Sequence, residues 1–309
     1  MKTLIVIVGP TAIGKTALSI SLAQHFECEI ISCDSRQFFQ EMHIGTAVPS
    51  QAELEMVQHH FVQNKTIFEP YSVGAFEKEA ITKLDQLFEK QDVVVMVGGS
   101  GLYIDAVVFG LDLFPEIQVE VRNELATEFA TNGIEFLLQK LQTLDPQYYQ
   151  HLLAENPQTL QNPQRMMRFV EVCVGTKMPY SSFLKSKTTQ RNFETIWIGL
   201  EGNRNTIYNR INKRVDTMIE EGLLAEAEML YPNKNLNALQ TVGYRELFSF
   251  FEGQMSLEFA IEEIKKNTRR FAKRQLTWFK RNKNITWFDF EIDQNIIKNH
   301  IFEKINKPV

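Results

Sequence analysis

The stretch "IVIVGPTAIGKTALSI", residues 5–20, decides the fold. Its spacing Gly9-x-x-x-x-Gly14-Lys15-Thr16 is the P-loop pattern. The apolar run at 4–8 before it reads as a buried strand, and 17–26 after it carries helical periodicity. That order matters physically. Glycines let backbone N–H groups turn inward around phosphate oxygens, and the start of the following helix adds its positive dipole end. Lys15 brings a mobile ammonium to the outer phosphate, and the Thr16 hydroxyl is placed to ligate Mg²⁺. The pattern alone leaves open whether those phosphates belong to ATP.

A chain of 309 residues is long enough for one large α/β domain or two modest ones. Its 44% hydrophobic and 23% charged residues are those of an ordinary globular protein, which sets aside disordered and fibrous classes. Cys28, Cys33 and Cys173 show no metal spacing and no paired framework, so a reducing compartment is expected. One lysine before a strand-length apolar run makes no signal peptide, and no apolar stretch reaches membrane-spanning length. The expectation is a cytoplasmic protein with no membrane contact. A net charge of −5 argues against whole-surface nucleic-acid binding but permits a local basic face. The stretch "KKNTRRFAKRQLTWFKRNK", residues 265–283, supplies one. Nine of its 19 residues are Lys or Arg and none is acidic. Ile261, Ile264, Thr268, Phe271, Gln275 and Phe279 keep helical spacing, which predicts an amphipathic helix with a cationic outer side.

The first hundred residues alternate strand and helix: 3–9, a helix, 28–34, a polar stretch, a helix near 74–90, and "DVVVMVGG". This predicts an α/β fold, a P-loop core on a parallel, doubly wound sheet. Strand signals stop after Gly110. Residues 116–188 carry helical patterns alone, and strands return at 195–201 and 284–290, with helices at 204–230 and 256–282. The expected organisation is a discontinuous catalytic core, 1–112 and 193–309, interrupted by an all-helical insertion, 113–192.

Further candidates gather at strand ends. "EIISCD" ends in Asp34, and ligands bind at the carboxyl ends of strands in open α/β sheets, so Asp34 shares the P-loop rim. "VVVMVGGSGLY" ends in Gly98-Gly99-Ser100, where many ATPases place an aspartate for Mg²⁺; Gly-Gly is expected to let another molecule approach the backbone. Arg210 and Arg214 share a helix face. "NPQRMMRFVEV" puts Arg165 and Arg168 early in an insertion helix, and "LQTVGYRE" reads as a loop around Gly243. His59-His60 lacks a third metal ligand.

"GPTAIGKT", "IISCDSRQ", "MHIGTAVP", "VGGSGLY", "NPQRMMR", "TVGYRE" and "RRFAKRQLTWFKR" follow the order found in tRNA dimethylallyltransferases, which this chain resembles from about residue 4 to 290. Members of that family prenylate N6 of the adenosine 3′ of the anticodon, position 37, in tRNAs reading codons that begin with U. The resemblance implies that the P-loop residues Gly9, Pro10, Thr11, Ala12, Ile13, Gly14, Lys15 and Thr16 hold the diphosphate of dimethylallyl diphosphate, with Mg²⁺ at Thr16. It implies that Arg214 clamps the diphosphate from the opposite side and that Asp34 is the general base. Ser100 stands where the family usually has Thr, near the reacting centre. The implied tRNA contacts are Asp34, Ser35, Arg36 and Gln37; Ser100; Arg122; Gln164, Arg165, Met166, Met167 and Arg168; and Leu239, Gln240, Thr241, Val242, Gly243 and Tyr244. Lys273 and Arg274 of the basic helix join them. The partners so implied are the tRNA anticodon stem-loop and dimethylallyl diphosphate, with the enzyme acting as a monomer. Phe39, Glu41, His43, Val48 and Asn162 depart from the usual Tyr, Gly, Asp, Lys and Asp. A small-molecule kinase using ATP, an adenylate prenyltransferase and an RNA-binding module without chemistry are the competing readings.

Overall fold

The computed structural model describes residues 2–184 and 189–306. Among these, one sheet contains β1 (Thr3–Val8), β2 (Ile30–Ser32), β3 (His59–His60), β4 (Val93–Val97), β5 (Glu194–Glu201) and β6 (Thr286–Asp289). The strand order is β3-β2-β4-β1-β5-β6, and every neighbouring pair is parallel. The helices of the first half are α1 (Lys15–His25), α2 (Gln51–Met56), α3 (Val73–Phe88) and α4 (Gly101–Phe109). Then come α5 (Val119–Leu144), α6 (Pro146–Glu155) and α7 (Pro163–Thr176). The last five are α8 (Arg204–Glu220), α9 (Leu223–Leu230), α10 (Tyr244–Phe251), α11 (Leu257–Phe279) and α12 (Gln294–Ile305).

The chain divides into two compact units, residues 1–110 with 190–309, and residues 111–189. In the first, helices cover both sheet faces, so a core strand must be apolar on both sides. Leu4, Val6 and Val8 face a core shared with α3 and α4, while Ile5 and Ile7 face one shared with α1, α8 and α12. That is why β1 reads as a continuous apolar run. A third cluster joins Phe39 and Met42 to α9, α10 and the first half of α11. It contains Tyr244, Leu239 and Ile264, all buried.

Two helices are shorter than their periodicity predicts. Gly222, at φ 103°, takes the left-handed conformation that ends one helix and starts the next, splitting 204–230 into α8 and α9. The basic helix stops at Phe279, so Arg281 and Lys283 lie beyond it.

The second unit is a small helical body with its own core of Leu125, Leu137, Leu141, Leu152, Met166 and Val170, and no strand among its described residues. Residues 185–188 of the expected helical stretch lie outside the described residues. Asn162 caps α7 by accepting the Arg165 N–H at 3.2 Å. Asn caps as well as Asp does, so this departure leaves the helix start intact. Glu41 likewise has a structural use, accepting from the Thr66 hydroxyl and from Ile67 N–H.

Candidate active site

The loop between β1 and α1 carries the P-loop residues. Gly14 sits at φ 105° at the head of α1, where no side chain caps the helix, so its first N–H groups face the loop. Ala12 is also left-handed, at φ 63°. Residues 11–17 line a cavity of about 570 Å³ together with Asp34, Gln37, His43, Glu53, His59, Arg210, Lys213 and Arg214. Gly9 and Pro10 stand behind it, buried, with the Pro10 carbonyl accepting from Lys15 Nζ at 2.8 Å.

A second cavity, of about 470 Å³, adjoins the first. Ser35, Arg36, Ser100, Tyr103, Arg245, Phe271, Arg274, Gln275 and Trp278 line it, with 240–243. The two share Thr11, Asp34, Thr46, Ala47, Arg214 and Met218. Asp34 therefore stands where a cationic, polar chamber meets one walled by arginines and aromatic rings.

The electrostatics of the junction are opposed by design of the burial. Burial pushes the Asp34 carboxyl above its ordinary range, against the Arg36 N–H bond at 3.1 Å and the positive charges of Lys15, Arg36 and Arg214. Burial also lowers Lys15 to about 8, with Asp34 pulling the other way and Arg214 adding to the fall. Arg214 donates to the Thr11 hydroxyl at 3.4 Å, and Arg210 to the Ala12 carbonyl at 2.8 Å. Both arginines of the α8 face thus reach the P-loop. Ser100 Oγ accepts the Ser35 N–H at 2.9 Å and lies 3.1 Å from Ser35 Oγ, tying the end of β4 to the residue after Asp34.

Gly98 lines the first cavity and Gly99 the second, and both are also packed against by the protein. A Cβ on Gly98 would fall 1.9 Å from the Cys33 carbonyl, and one on Gly99 2.1 Å from Gln275 Nε2. The space where their side chains would stand is occupied by the protein itself.

The expected tRNA contacts separate into groups. Asp34, Ser35, Arg36, Ser100, Gln240, Thr241, Val242, Gly243 and Arg274 line the second cavity, and Gln37 lines the first. Arg36 also donates to the Asn237 and Ala238 carbonyls at 3.0 and 2.9 Å. Leu239 and Tyr244 are buried, and Tyr244 is the start of α10, not part of a loop. In the helical unit the Met166 and Met167 side chains belong to the core. Gln164, Arg165 and Arg122 are exposed, Arg168 is half-buried, and Arg122 and Arg168 each lie 3.3 Å from the buried Glu171. Their side chains, not the methionines, present a surface.

The basic helix is less uniform than its sequence. Lys265 pairs with Asp216 and Glu262, Lys266 with Glu263, and Lys280 with Glu201. Arg270, Lys273 and Arg274 remain exposed with no ion pair among the described residues. Phe271, placed on the inner row by its spacing, is 38% exposed and lines the second cavity.

Several site residues escaped the sequence reading. Gln275 bridges the P-loop and the turn after β4 from the buried side of α11. Buried Glu226 accepts from the backbone N–H groups of His43, Ile44 and Gly45 at 3.0, 2.7 and 2.9 Å, and from the Tyr244 hydroxyl at 2.7 Å. It holds the loop that separates the two cavities. Only polarity on an inner row could have signalled Gln275, and nothing local signals Glu226. His60 pairs with Glu29, His59 bonds the Val57 carbonyl, and no group of three or more His, Cys, Asp or Glu poised for a metal occurs among the described residues.

Fold and site together define a P-loop protein in which the cavity along the loop adjoins a second cavity lined by arginines and aromatic side chains. A protein-family model described as IPP transferase matches residues 37–282, more than half of the chain. The chain belongs to this family. It is 65% identical over 309 residues to a tRNA dimethylallyltransferase of Flavobacterium johnsoniae, with both chains covered completely. Among solved structures it is similar to the full-length tRNA isopentenylpyrophosphate transferase of Bacillus halodurans, with TM-score 0.71 and 36% identity over 98% of this chain and 96% of that one. It is also similar to a eukaryotic dimethylallyltransferase acting on tRNA, with TM-score 0.76 and 25% identity over 100% of this chain and 81% of that one. No helix among the described residues is long and apolar enough to cross a membrane.

Proposed function

We propose that the protein is a tRNA dimethylallyltransferase, moving the dimethylallyl group of dimethylallyl diphosphate to N6 of the adenosine 3′ of the anticodon. The observation that carries this reading is the meeting of two unlike cavities at Asp34. In it, residues 11–16, Lys15 and Arg214 hold the donor diphosphate. The adenine, turned out of the anticodon loop, enters the second cavity between Arg36, Phe271 and Trp278, since a stacked base cannot reach the donor. N6 attacks the allylic carbon, the carbon–oxygen bond to the diphosphate breaks, and Asp34 takes the N6 proton. Lys15 and Arg214 stabilise the charge that develops on the departing diphosphate.

The donor set also suits Mg²⁺. The Thr16 hydroxyl and the Glu53 carboxylate line one chamber as hard oxygen donors, and Mg²⁺ is usually held by few protein groups together with substrate phosphates. Thr16 would hold the ion, which supplies further charge neutralisation to the leaving group. Outside the chambers, Lys273, Arg165, Arg168 and Arg122 grip the tRNA backbone. The enzyme works as a monomer in the cytoplasm on tRNAs that read codons beginning with U.

The test is incubation with unmodified tRNA and dimethylallyl diphosphate, then mass analysis of the digested nucleosides. The expected product is prenylated adenosine at the position 3′ of the anticodon. Modification of free adenylate, or phosphate transfer from ATP to a small acceptor in its place, would overturn the assignment.

A further inference from the structure

The geometry points to Gln275 as a positioning residue for the transfer reaction, an inference that rests on the function proposed above. Its side chain is buried, 5% exposed, on the inward face of α11. Oε1 accepts the Thr11 N–H at 2.9 Å, and Nε2 donates to the Gly99 carbonyl at 3.0 Å. One amide thus spans from the P-loop to the end of β4, and its two different bonds fix which way it points. What it holds at each end matters. Thr11 lines both cavities, and its hydroxyl accepts from Arg214. Gly99 precedes Ser100, which is bonded to Ser35, the neighbour of Asp34. Gln275 therefore sets the distance between the donor loop and the turn carrying the proton acceptor.

Two further facts support a dedicated role. The P-loop commits the Thr11 N–H to this side chain, although inward-facing N–H groups are what such a loop offers to phosphate. And a Cβ at 99 would fall 2.1 Å from Gln275 Nε2, so glycine there leaves the space that the amide occupies. Gln275 also follows Arg274, and both line the second cavity. Ala272 and Phe279 anchor that helix in the core, so Gln275 is held from behind.

Gln275→Met keeps length and removes both bonds; Gln275→Glu keeps the acceptor toward Thr11 and loses the donor toward Gly99. A reacting pair displaced by about 1 Å loses up to about 10²-fold in rate. For Gln275→Met, kcat should fall about 10- to 100-fold, with the KM for dimethylallyl diphosphate raised and the Kd for tRNA changed less than about twofold. Gln275→Glu should restore the donor KM and not kcat. Thermal unfolding of each variant sets the temperature at which its kinetics are read. If either folded variant keeps kcat within about twofold of a transferring wild type, the inference is wrong. It is equally wrong if the whole loss lies in tRNA affinity. A wild type that transfers no prenyl group sinks the proposed function first, and the role of Gln275 with it.

Discussion

Asp34 is held under two opposed demands, and both have measurable signs. A proton acceptor must be ionised, so activity should fall as pH drops through its raised pKa. Asp34→Asn should remove that acid limb and lower kcat about 10²- to 10⁴-fold, with the KM for tRNA little altered. Folding also raises this pKa, so the folded chain binds the proton more tightly than the unfolded one. The stability it contributes is present below the ordinary aspartate range and is lost as pH rises through the raised value. Asp34→Asn escapes the loss and should therefore melt above wild type at about pH 8 but not at about pH 4. An equal gain at both would show that the carboxylate is not the cause. Lys15 has the opposite profile. Its pKa is lowered to about 8, so the free enzyme loses its ammonium above that pH, and the KM for the donor should rise there. Lys15→Arg, which stays charged, should flatten that rise even if it binds the donor less well. A basic limb that survives the substitution would assign it to another group.

Helices carry the argument for nucleic-acid contact, and α11 is where sequence and structure part. Helical spacing correctly put Ile264, Gln275 and Phe279 inside, because a helix packed on one side leaves a 3.6-residue trace. The same spacing put Phe271 inside as well, yet it walls a cavity, and periodicity cannot tell a core from a chamber. Nor could the run of cations reveal that Lys265 and Lys280 have the carboxylate partners Asp216 and Glu201, which are distant in sequence, whereas the partner of Lys266, Glu263, lies just ahead of the run. Paired cations release few counterions on binding tRNA, and free ones release more. Replacing Lys273 and Arg274 together by alanine should therefore flatten the log–log salt dependence of tRNA binding by about 1–2 units. The same change at Lys265 and Lys266 should leave the slope in place. Equal effects from the two pairs would mean that the ion pairs do not govern binding.

The parallel sheet was legible because its inner strands are apolar on both faces, whereas β3, two residues long, left only His59-His60 as a trace. The loop between β1 and α1 was legible for another reason, since residues 9–16 are consecutive. The junction was not. Gln275 meets Thr11 across 264 positions, and Glu226 meets Gly45 across 181, so no local pattern records either contact. The helical unit, residues 111–189, has a core of its own, and this makes its stability separable from donor binding. Leu141→Ala should cost that unit about 2–5 kcal/mol. Calorimetry should then show weaker tRNA binding with inorganic diphosphate binding unchanged; loss of both would mean that the two units unfold together. The shared wall of the two cavities has a consequence for inhibitor chemistry. A single compound joining a non-hydrolysable bisphosphonate to an N6-alkylated adenine would occupy both chambers, with its linker running past Asp34. Once one end is bound, the other docks at high effective concentration, so the joined molecule should bind about 10²- to 10⁴-fold more tightly than either half.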